Sequence, residues 1–288
     1  MVHPGAARRA VRLGGRGQGE REGTKDQEQD RDKLARHVFS SRMERLGRLT
    51  REWDEPLRYC TMQSDLRYLF LLGTMRSGSS LLAAILCSHP EILGYGETHV
   101  VYDGIDKMQE LVARVRRAHE GREPRRYVLD KLLHDGLIRD PRVFEGVDLT
   151  CVFLLREPRR TIESLVHQLD STLDDAFTYY RERLLNLERY ARAFPRSAFL
   201  TYERLIADPE GTLERLARFL DLKVPLSSEY RLQPLHDVKG VGDRSGRLEA
   251  GRILSEAREI RVPLPEDRLA EMTEAEAAYR RCRAVLSE

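Results

Sequence analysis

The residues best suited to chemistry lie in one short segment, Gly73-Thr74-Met75-Arg76-Ser77-Gly78-Ser79-Ser80. An apolar run precedes this segment and another follows it, which predicts a strand, a turn and the start of a helix. Glycines let a backbone approach an anion closely, and the free N–H groups at a helix N-terminus bind phosphate. The spacing of Gly73 and Gly78 matches a phosphate-binding P-loop, but Ser79 stands where that loop has lysine. The segment therefore predicts an anion-binding loop, with an ordinary strand, turn and capped helix as the alternative.

The missing lysine changes the chemistry that this loop can support. In an NTPase the lysine places a positive charge on the β- and γ-phosphates, while a hydroxyl and a distant Asp hold magnesium. Here the loop offers Arg76 and the hydroxyls of Ser77, Ser79 and Ser80 instead. Such a loop suits the transfer of a less charged group, such as a sulfuryl group, which needs no metal ion to neutralise it.

A second candidate anion site follows the apolar run at residues 150–155. Arg156 comes directly after that run, and Pro158 suits the first turn of a helix. Ser164 lies in the predicted helix, from which its hydroxyl and the Arg156 guanidinium can reach one phosphate. A P-loop NTPase would be expected to carry a magnesium-binding Asp at the end of such a strand, and this sequence has Arg156 there. The alternative is a surface arginine in a salt bridge and a serine with no role beyond the helix.

Together these separated elements resemble the sulfotransferases that use 3′-phosphoadenosine 5′-phosphosulfate (PAPS). The resemblance extends over about residues 68–243, well over half of the chain. It implies that the loop at residues 76–80 binds the 5′-phosphosulfate of the donor. It also implies that Arg156 and Ser164 bind the 3′-phosphate, which ATP lacks.

The resemblance also indicates a catalytic base. Residues 88–99 are similar to the branch of the family that includes tyrosylprotein sulfotransferases and many bacterial members, in which a glutamate at about this distance after the loop arginine is the base. Glu97 is therefore the expected base, with His99 and His134 as lesser candidates. A carboxylate of ordinary pKa is ionised at neutral pH and accepts a proton from a hydroxyl within hydrogen-bond reach. The alternative is that Glu97 caps a helix beginning near Val100.

Four further residues are interpreted through the same resemblance. Lys131 looks like a lysine that neutralises charge on the sulfate and the bridging oxygen, although Leu132 follows it where the family more often has Thr-Pro or Asp-Pro. Tyr202 is similar to a tyrosine that contacts the adenine. Lys239 and Gly240 resemble a C-terminal loop that closes over the 3′-phosphate, with a flexible surface loop as the alternative.

The resemblance thus implies a sulfotransferase that moves a sulfuryl group from PAPS to a hydroxyl of a small-molecule acceptor. Arg76 and Lys131 would stabilise the phosphosulfate, Glu97 would take the proton, and no metal ion is expected. Two alternatives stay open on the residues: a P-loop kinase or other phosphotransferase, and a nucleotide-binding protein without catalytic activity.

Composition narrows the classes of protein to which the chain can belong. The 49 basic and 47 acidic residues give a net charge of +2, so the bulk basic excess of nucleic-acid binders is missing. No run of 18 apolar residues and no secretory signal pattern occur, and we expect a cytoplasmic protein without a membrane span. The cysteines are scattered without a C-x-x-C pair, which favours reduced thiols over a metal site. They are Cys60, Cys87, Cys151 and Cys282.

Alternating apolar patterns predict the elements that would position these residues. Strands are expected at 68–72, 92–95, 127–129, 150–155 and 198–201. Helices are expected at 79–88, 100–119, 159–169, 174–193 and 210–220. This alternation predicts a three-layer, P-loop-like α/β fold, in which helices flank a central parallel sheet. Ligands are expected to bind at the carboxyl ends of the strands.

The sequence also predicts how the chain is divided. Residues 1–33 carry almost no large apolar residue and are expected to form a disordered charged tail. Apolar residues at helical spacing predict that 34–66 is a helical segment packing on the domain. Residues 67–288 would then form the sulfotransferase domain.

Overall fold

The computed structural model describes residues 66–123, 126–169, 171–234, 246–255, 262 and 264–287. The predicted tail at 1–33 lies outside these residues, and so does the predicted helical segment at 34–66 except for its last residue. The division of the chain into tail, helical segment and domain therefore stays a prediction.

Within the described residues, five strands form one parallel sheet. They are β1 (Arg67–Gly73), β2 (Ile92–Leu93), β3 (Tyr127–Leu132), β4 (Leu149–Leu155) and β5 (Ser197–Thr201). Their order across the sheet is β2, β3, β1, β4, β5, which places β1 at the centre. Leu71 of β1 lies opposite Lys131 of β3 and Val152 of β4. Because every pairing is parallel, the carboxyl ends of all five strands lie at one edge of the sheet.

Helices follow most of the strands. They are α1 (Ser79–Cys87), α2 (Lys107–Ala118), α3 (Pro158–Leu169), α4 (Leu173–Ala193), α5 (Tyr202–Ala207), α6 (Pro209–Phe219) and α7 (Leu269–Ser287). Short side chains stabilise several of their starts: Thr172 accepts a hydrogen bond from an N–H of α4, and Asp208 does the same for α6.

Both faces of the sheet are covered, which explains why its central strands are apolar on both sides. On one face, Leu69, Leu71 and Val152 belong to a core that includes buried side chains of α1 and α6. On the other face, the ring of Phe70 lies 4.9 Å from that of Tyr102 and 5.3 Å from that of Phe144, measured between ring centroids. The three-layer α/β fold expected from the sequence is confirmed.

One predicted helix begins later than expected. We predicted a helix from Val100, but α2 begins at Lys107. The intervening backbone is held by other partners, because the N–H of Tyr102 donates to the carbonyl of Leu137 (2.7 Å). Since no helix begins near Val100, the alternative role of Glu97 as its cap is wrong.

The cysteines and the helices bear on two other expectations. Cys87, Cys151 and Cys282 are buried free thiols, and Cys60 lies outside the described residues. Within the part of the chain that the structure describes, no helix has the length and apolar character needed to cross a membrane.

Candidate active site

The loop between β1 and α1 lies at the carboxyl edge of the central strand. Gly73 leaves no room for a side chain, because a Cβ there would lie 2.6 Å from the carbonyl oxygen of Leu154. Gly78, directly before α1, has a φ of 86° in the left-handed region. Arg76 is also left-handed, with a φ of 64°, a conformation that is unfavourable for a residue with a side chain. A tight strand contact and two left-handed residues therefore define the turn.

Polar groups of the loop lack protein partners at the start of α1. The first N–H groups of an α-helix have no acceptor within the helix, and in α1 the N–H of Leu82 bonds back to Gly78 (3.1 Å). The hydroxyl oxygens of Thr74 and Ser77 are buried and have no hydrogen-bond partner among the described residues. Unpaired buried polar groups are rare in folded proteins. The free N–H groups at the start of α1 fit an anionic group, whose oxygens would accept hydrogen bonds from them.

Arg76 joins the loop to α3. Its Nε donates to Oγ of Ser164 (3.1 Å), and its Nη2 donates to the side-chain oxygen of Gln168. From the end of β4, Nη1 of Arg156 donates to the carbonyl oxygen of Arg76 (2.9 Å). The structure thus places the loop arginine, Arg76, in contact with both Arg156 and Ser164, the residues of the second expected anion site. Gln168 was not identified from the sequence, although it lies four residues after Ser164 and so on the same helix face.

Arg156 is a half-buried cation with few protein partners. Burial lowers the pKa of its guanidinium. Its Nε has no hydrogen-bond partner, and no carboxylate forms an ion pair with it within the described residues. A half-buried charge that forms no ion pair is unfavourable, so an anionic ligand would stabilise this arrangement.

Tyr202 packs between the loop and Arg156. The guanidinium carbon of Arg156 lies 4.5 Å from the centroid of the Tyr202 ring. A Cβ at Gly78 would lie only 2.3 Å from Cδ2 of the same ring. Position 78 therefore requires glycine both for its φ and for this contact, while the adenine contact expected of Tyr202 stays a prediction.

Lys131 connects the loop to the expected base. Its Nζ donates to Oγ of Ser80 (2.9 Å) and lies 3.1 Å from Oε1 of Glu97. The Lys131 side chain is 3% exposed and that of Glu97 is 9% exposed, so water screens this ion pair little. The backbone N–H of Lys131 also donates to the carbonyl of Gly96 (3.0 Å), which fixes the segment that carries Glu97 beside the end of β3.

Two histidines lie near Glu97. Nε2 of His134 is 3.6 Å from Oε2 of Glu97, beyond hydrogen-bond length. Burial by itself raises the pKa of Glu97, but the charge of Lys131 and the nearby His134 ring outweigh burial, and the pKa lies well below its usual value. His99 is close enough to be affected by the charge of Glu97; burial lowers its pKa, and its ring nitrogens have no partner in the part of the chain described.

Asp130 is a buried residue of this site that we did not identify from the sequence. Its carboxylate accepts hydrogen bonds from the backbone N–H of Thr98 (2.9 Å), the hydroxyl of Thr98 (2.7 Å) and the hydroxyl of Tyr102 (2.7 Å). It also accepts from the N–H of Lys131 (2.9 Å). Asp130 thereby joins the residue after Glu97 to the residue that pairs with Glu97. The available signal was an acidic residue inside an apolar run that otherwise predicts a buried strand.

The remaining predicted positions are distributed as follows. Ser79 begins α1 and is buried, next to Ser80. Lys239 and Gly240 lie outside the described residues. No three His, Cys, Asp or Glu side chains are grouped as a metal site requires within the described ranges.

The chain resembles known proteins in sequence pattern and in fold. Residues 66–237, more than half of the chain, match the family described as the sulfotransferase domain. The sulfotransferase domain from the curacin biosynthetic pathway superposes with a TM-score of 0.56 at 17% identity, over 75% of this chain and 98% of that one. The sulfotransferase domain of the Synechococcus PCC 7002 olefin synthase gives 0.54 at 19% identity, over 78% and 98%. At these identities the likeness concerns the fold. No curated protein sequence matches the chain.

Proposed function

The chain belongs to the sulfotransferase domain family and is a sulfotransferase, and from that premise we propose that it transfers a sulfuryl group from PAPS to a hydroxyl of a small-molecule acceptor. Family membership decides against the kinase and the non-catalytic alternatives. The observation that carries the proposal is the position of Lys131, whose ammonium lies between Ser80 of the anion loop and Glu97.

Recognition of the donor is assigned to the loop and to α3. The N–H groups at the start of α1 and the hydroxyls of Ser77, Ser79 and Ser80 would hold the 5′-phosphosulfate, with Arg76 beside them. Arg156 and Ser164 would bind the 3′-phosphate. ATP has no 3′-phosphate, so an ATP site would not need this second cation. The lack of a carboxylate partner for Arg156 within the described residues supports this assignment.

Glu97 is assigned as the general base. A pKa below its usual value keeps the carboxylate ionised at neutral pH, and an ionised carboxylate can accept the proton of an acceptor hydroxyl within hydrogen-bond reach. The same low pKa makes it a weak base while Lys131 remains paired with it. For Glu97 to accept a proton, the Lys131 ammonium must therefore move away from it during the reaction.

Lys131 supplies this change. Bound PAPS would supply the sulfuryl group. As its bond between sulfur and the bridging oxygen breaks, negative charge would develop on that oxygen of the bisphosphate leaving group. The Lys131 ammonium is then attracted toward that charge and away from Glu97. This both stabilises the leaving group and raises the pKa of Glu97 when the hydroxyl proton must be accepted. His134, whose Nε2 lies 3.6 Å from Oε2 of Glu97, stays the lesser candidate for the base.

The acceptor site is expected along residues 98–106 and 166–180, which mix aromatic, histidine and acidic side chains. A phenol, a sugar, a lipid or a natural-product alcohol would each suit that composition. The cytoplasmic location expected from the sequence stays a prediction.

Incubation with radiolabelled PAPS and a panel of such alcohols tests the proposal. We expect a labelled product heavier than its acceptor by one SO₃ group, together with 3′,5′-bisphosphoadenosine, in buffer that contains EDTA. Label that stays in PAPS with every acceptor and is not released to water either would contradict the proposed donor.

A further inference from the structure

An enclosed arginine on α4 connects the ends of two neighbouring strands, β1 and β3. Arg183 is 0% exposed. Its Nε donates to the carbonyl of Gly73 at the end of β1 (2.9 Å), and its Nη2 donates to the carbonyl of Leu132 at the end of β3. Nη1 donates to Oδ1 of Asp135 (2.7 Å), which supplies the counter-charge that a buried guanidinium requires.

Tyr179 makes a second connection between the same two segments. Its hydroxyl accepts from the N–H of Met75 (2.7 Å) and donates to the carbonyl of Leu133 (2.8 Å). Tyr179 and Arg183 are four residues apart on one helix and so lie on the same face. We call this pair of residues the α4 brace.

The two segments joined by the α4 brace carry the reacting groups. Residues 73–75 lead directly into Arg76, and residues 132–135 follow Lys131 and contain His134. Register pairs β1 with β3 only as far as Leu72 opposite Leu132. Beyond that point no strand pairing fixes the loop relative to the end of β3, and the α4 brace contacts both segments there.

We propose that Tyr179 and Arg183 are positioning residues that set the separation between the anion loop and the segment carrying Lys131 and His134. The inference rests on the proposed function, because that separation determines whether the sulfuryl group faces the acceptor hydroxyl in line. A misplacement of about 1 Å can reduce a rate by on the order of 100-fold without loss of binding. The brace therefore acts on turnover more than on donor affinity.

Tyr179→Phe is the sharpest test, since it removes only the hydroxyl, whereas Arg183→Lys places an ammonium in an enclosed site and can prevent folding. Tyr127→Phe is the matched control: its buried hydroxyl donates to the carbonyl of Leu220 (3.0 Å), at the amino end of β3. Amide hydrogen exchange of both variants measures how firmly the brace holds the two segments, and it requires no enzyme assay. We expect at least about 10-fold faster exchange at residues 74–80 and 132–136 in Tyr179→Phe alone. Exchange equal to that of the control would overturn the brace.

Release of labelled sulfate from PAPS to water provides the functional readout, since it needs no identified acceptor. We expect the rate at saturating PAPS to fall by about 10-fold or more in Tyr179→Phe, with the affinity for 3′,5′-bisphosphoadenosine within about 3-fold of the wild type. Faster exchange with an unchanged rate would show a merely structural link and overturn the positioning role. A wild-type chain that binds no bisphosphoadenosine would instead overturn the proposed function, and the exchange result would then decide the brace by itself.

Discussion

The ammonium of Lys131 lies 3.1 Å from the carboxylate of Glu97, and both side chains are almost fully enclosed. A buried pair of this kind is stable only while both charges are present. Sulfuryl transfer would weaken this pairing, because the leaving group gains negative charge that attracts the lysine ammonium. The pair thus couples stabilisation of the leaving group to the basicity of the carboxylate.

Removal of Lys131 tests this coupling. We expect Lys131→Met to lower the rate of sulfate release by on the order of 10² to 10³, the usual loss when a placed cation is removed. Burial then dominates at Glu97 and raises its pKa, so the acid limb of the pH–rate profile moves to higher pH. Lys107→Met is the control, since Lys107 pairs with Glu110 (2.9 Å) on α2. An acid limb at the wild-type position in Lys131→Met would contradict the coupling.

Arg156 tests recognition of the 3′-phosphate. We expect Arg156→Met to reduce the preference for 3′,5′-bisphosphoadenosine over AMP by on the order of 10- to 100-fold, the range for hydrogen bonds to charged groups. Arg159→Met, in which a 61% exposed side chain paired with Glu163 is lost, should leave that preference unchanged. The measurement is titration calorimetry with each nucleotide. Equal losses of affinity for both nucleotides in Arg156→Met would assign the arginine to another part of the donor.

Gly78 tests the packing of the loop against Tyr202. A side chain at Gly78 meets both a left-handed φ and the Tyr202 ring, whereas Gly121 has a similar φ of 82° and nothing within 4 Å of its Cβ position. Gly121→Ala should therefore cost about 1–2 kcal/mol of unfolding free energy, the conformational term alone. Gly78→Ala should cost more and weaken nucleotide binding, as measured by denaturant unfolding and titration. Equal costs for the two variants would contradict the contact with Tyr202.

Asp130 tests the buried network around Glu97 through pH. Burial raises its pKa from 3.8 to about 6, despite its hydrogen bonds. The folded chain therefore binds a proton between these values that the unfolded chain releases, and stability falls as pH rises through that range. We expect wild type to lose roughly 2 kcal/mol relative to Asp130→Asn between about pH 4 and pH 7.

Asp140→Asn is the control of opposite sign for this experiment. Arg142 lowers the pKa of the exposed Asp140 to about 2, so wild-type Asp140 stabilises the fold above its ordinary pKa and loses that contribution as pH falls. Denaturant titration of the three proteins at several pH values measures both slopes. A stability difference between wild type and Asp130→Asn that does not vary with pH would contradict the raised pKa of Asp130.

The sequence contained the local parts of this site but not its tertiary connections. The glycine spacing of the loop and the arginine after β4 are local signals, because they depend on residues that are neighbours in the chain. The predicted start of a helix at Val100 was wrong because Tyr102 is held by Leu137, a partner far along the chain. Arg183 was missed for the same reason. It lies beside Leu184 on the buried stripe of α4, and an arginine at a core position was the only available sign.

Titration of the protein with 3′,5′-bisphosphoadenosine, AMP and ATP in the presence of EDTA tests the central claim most directly. The proposed PAPS site predicts tight binding of the bisphosphate, weaker binding of AMP and ATP, and no requirement for a metal ion. Equal affinity for AMP, or binding that appears only when magnesium is added, would contradict it.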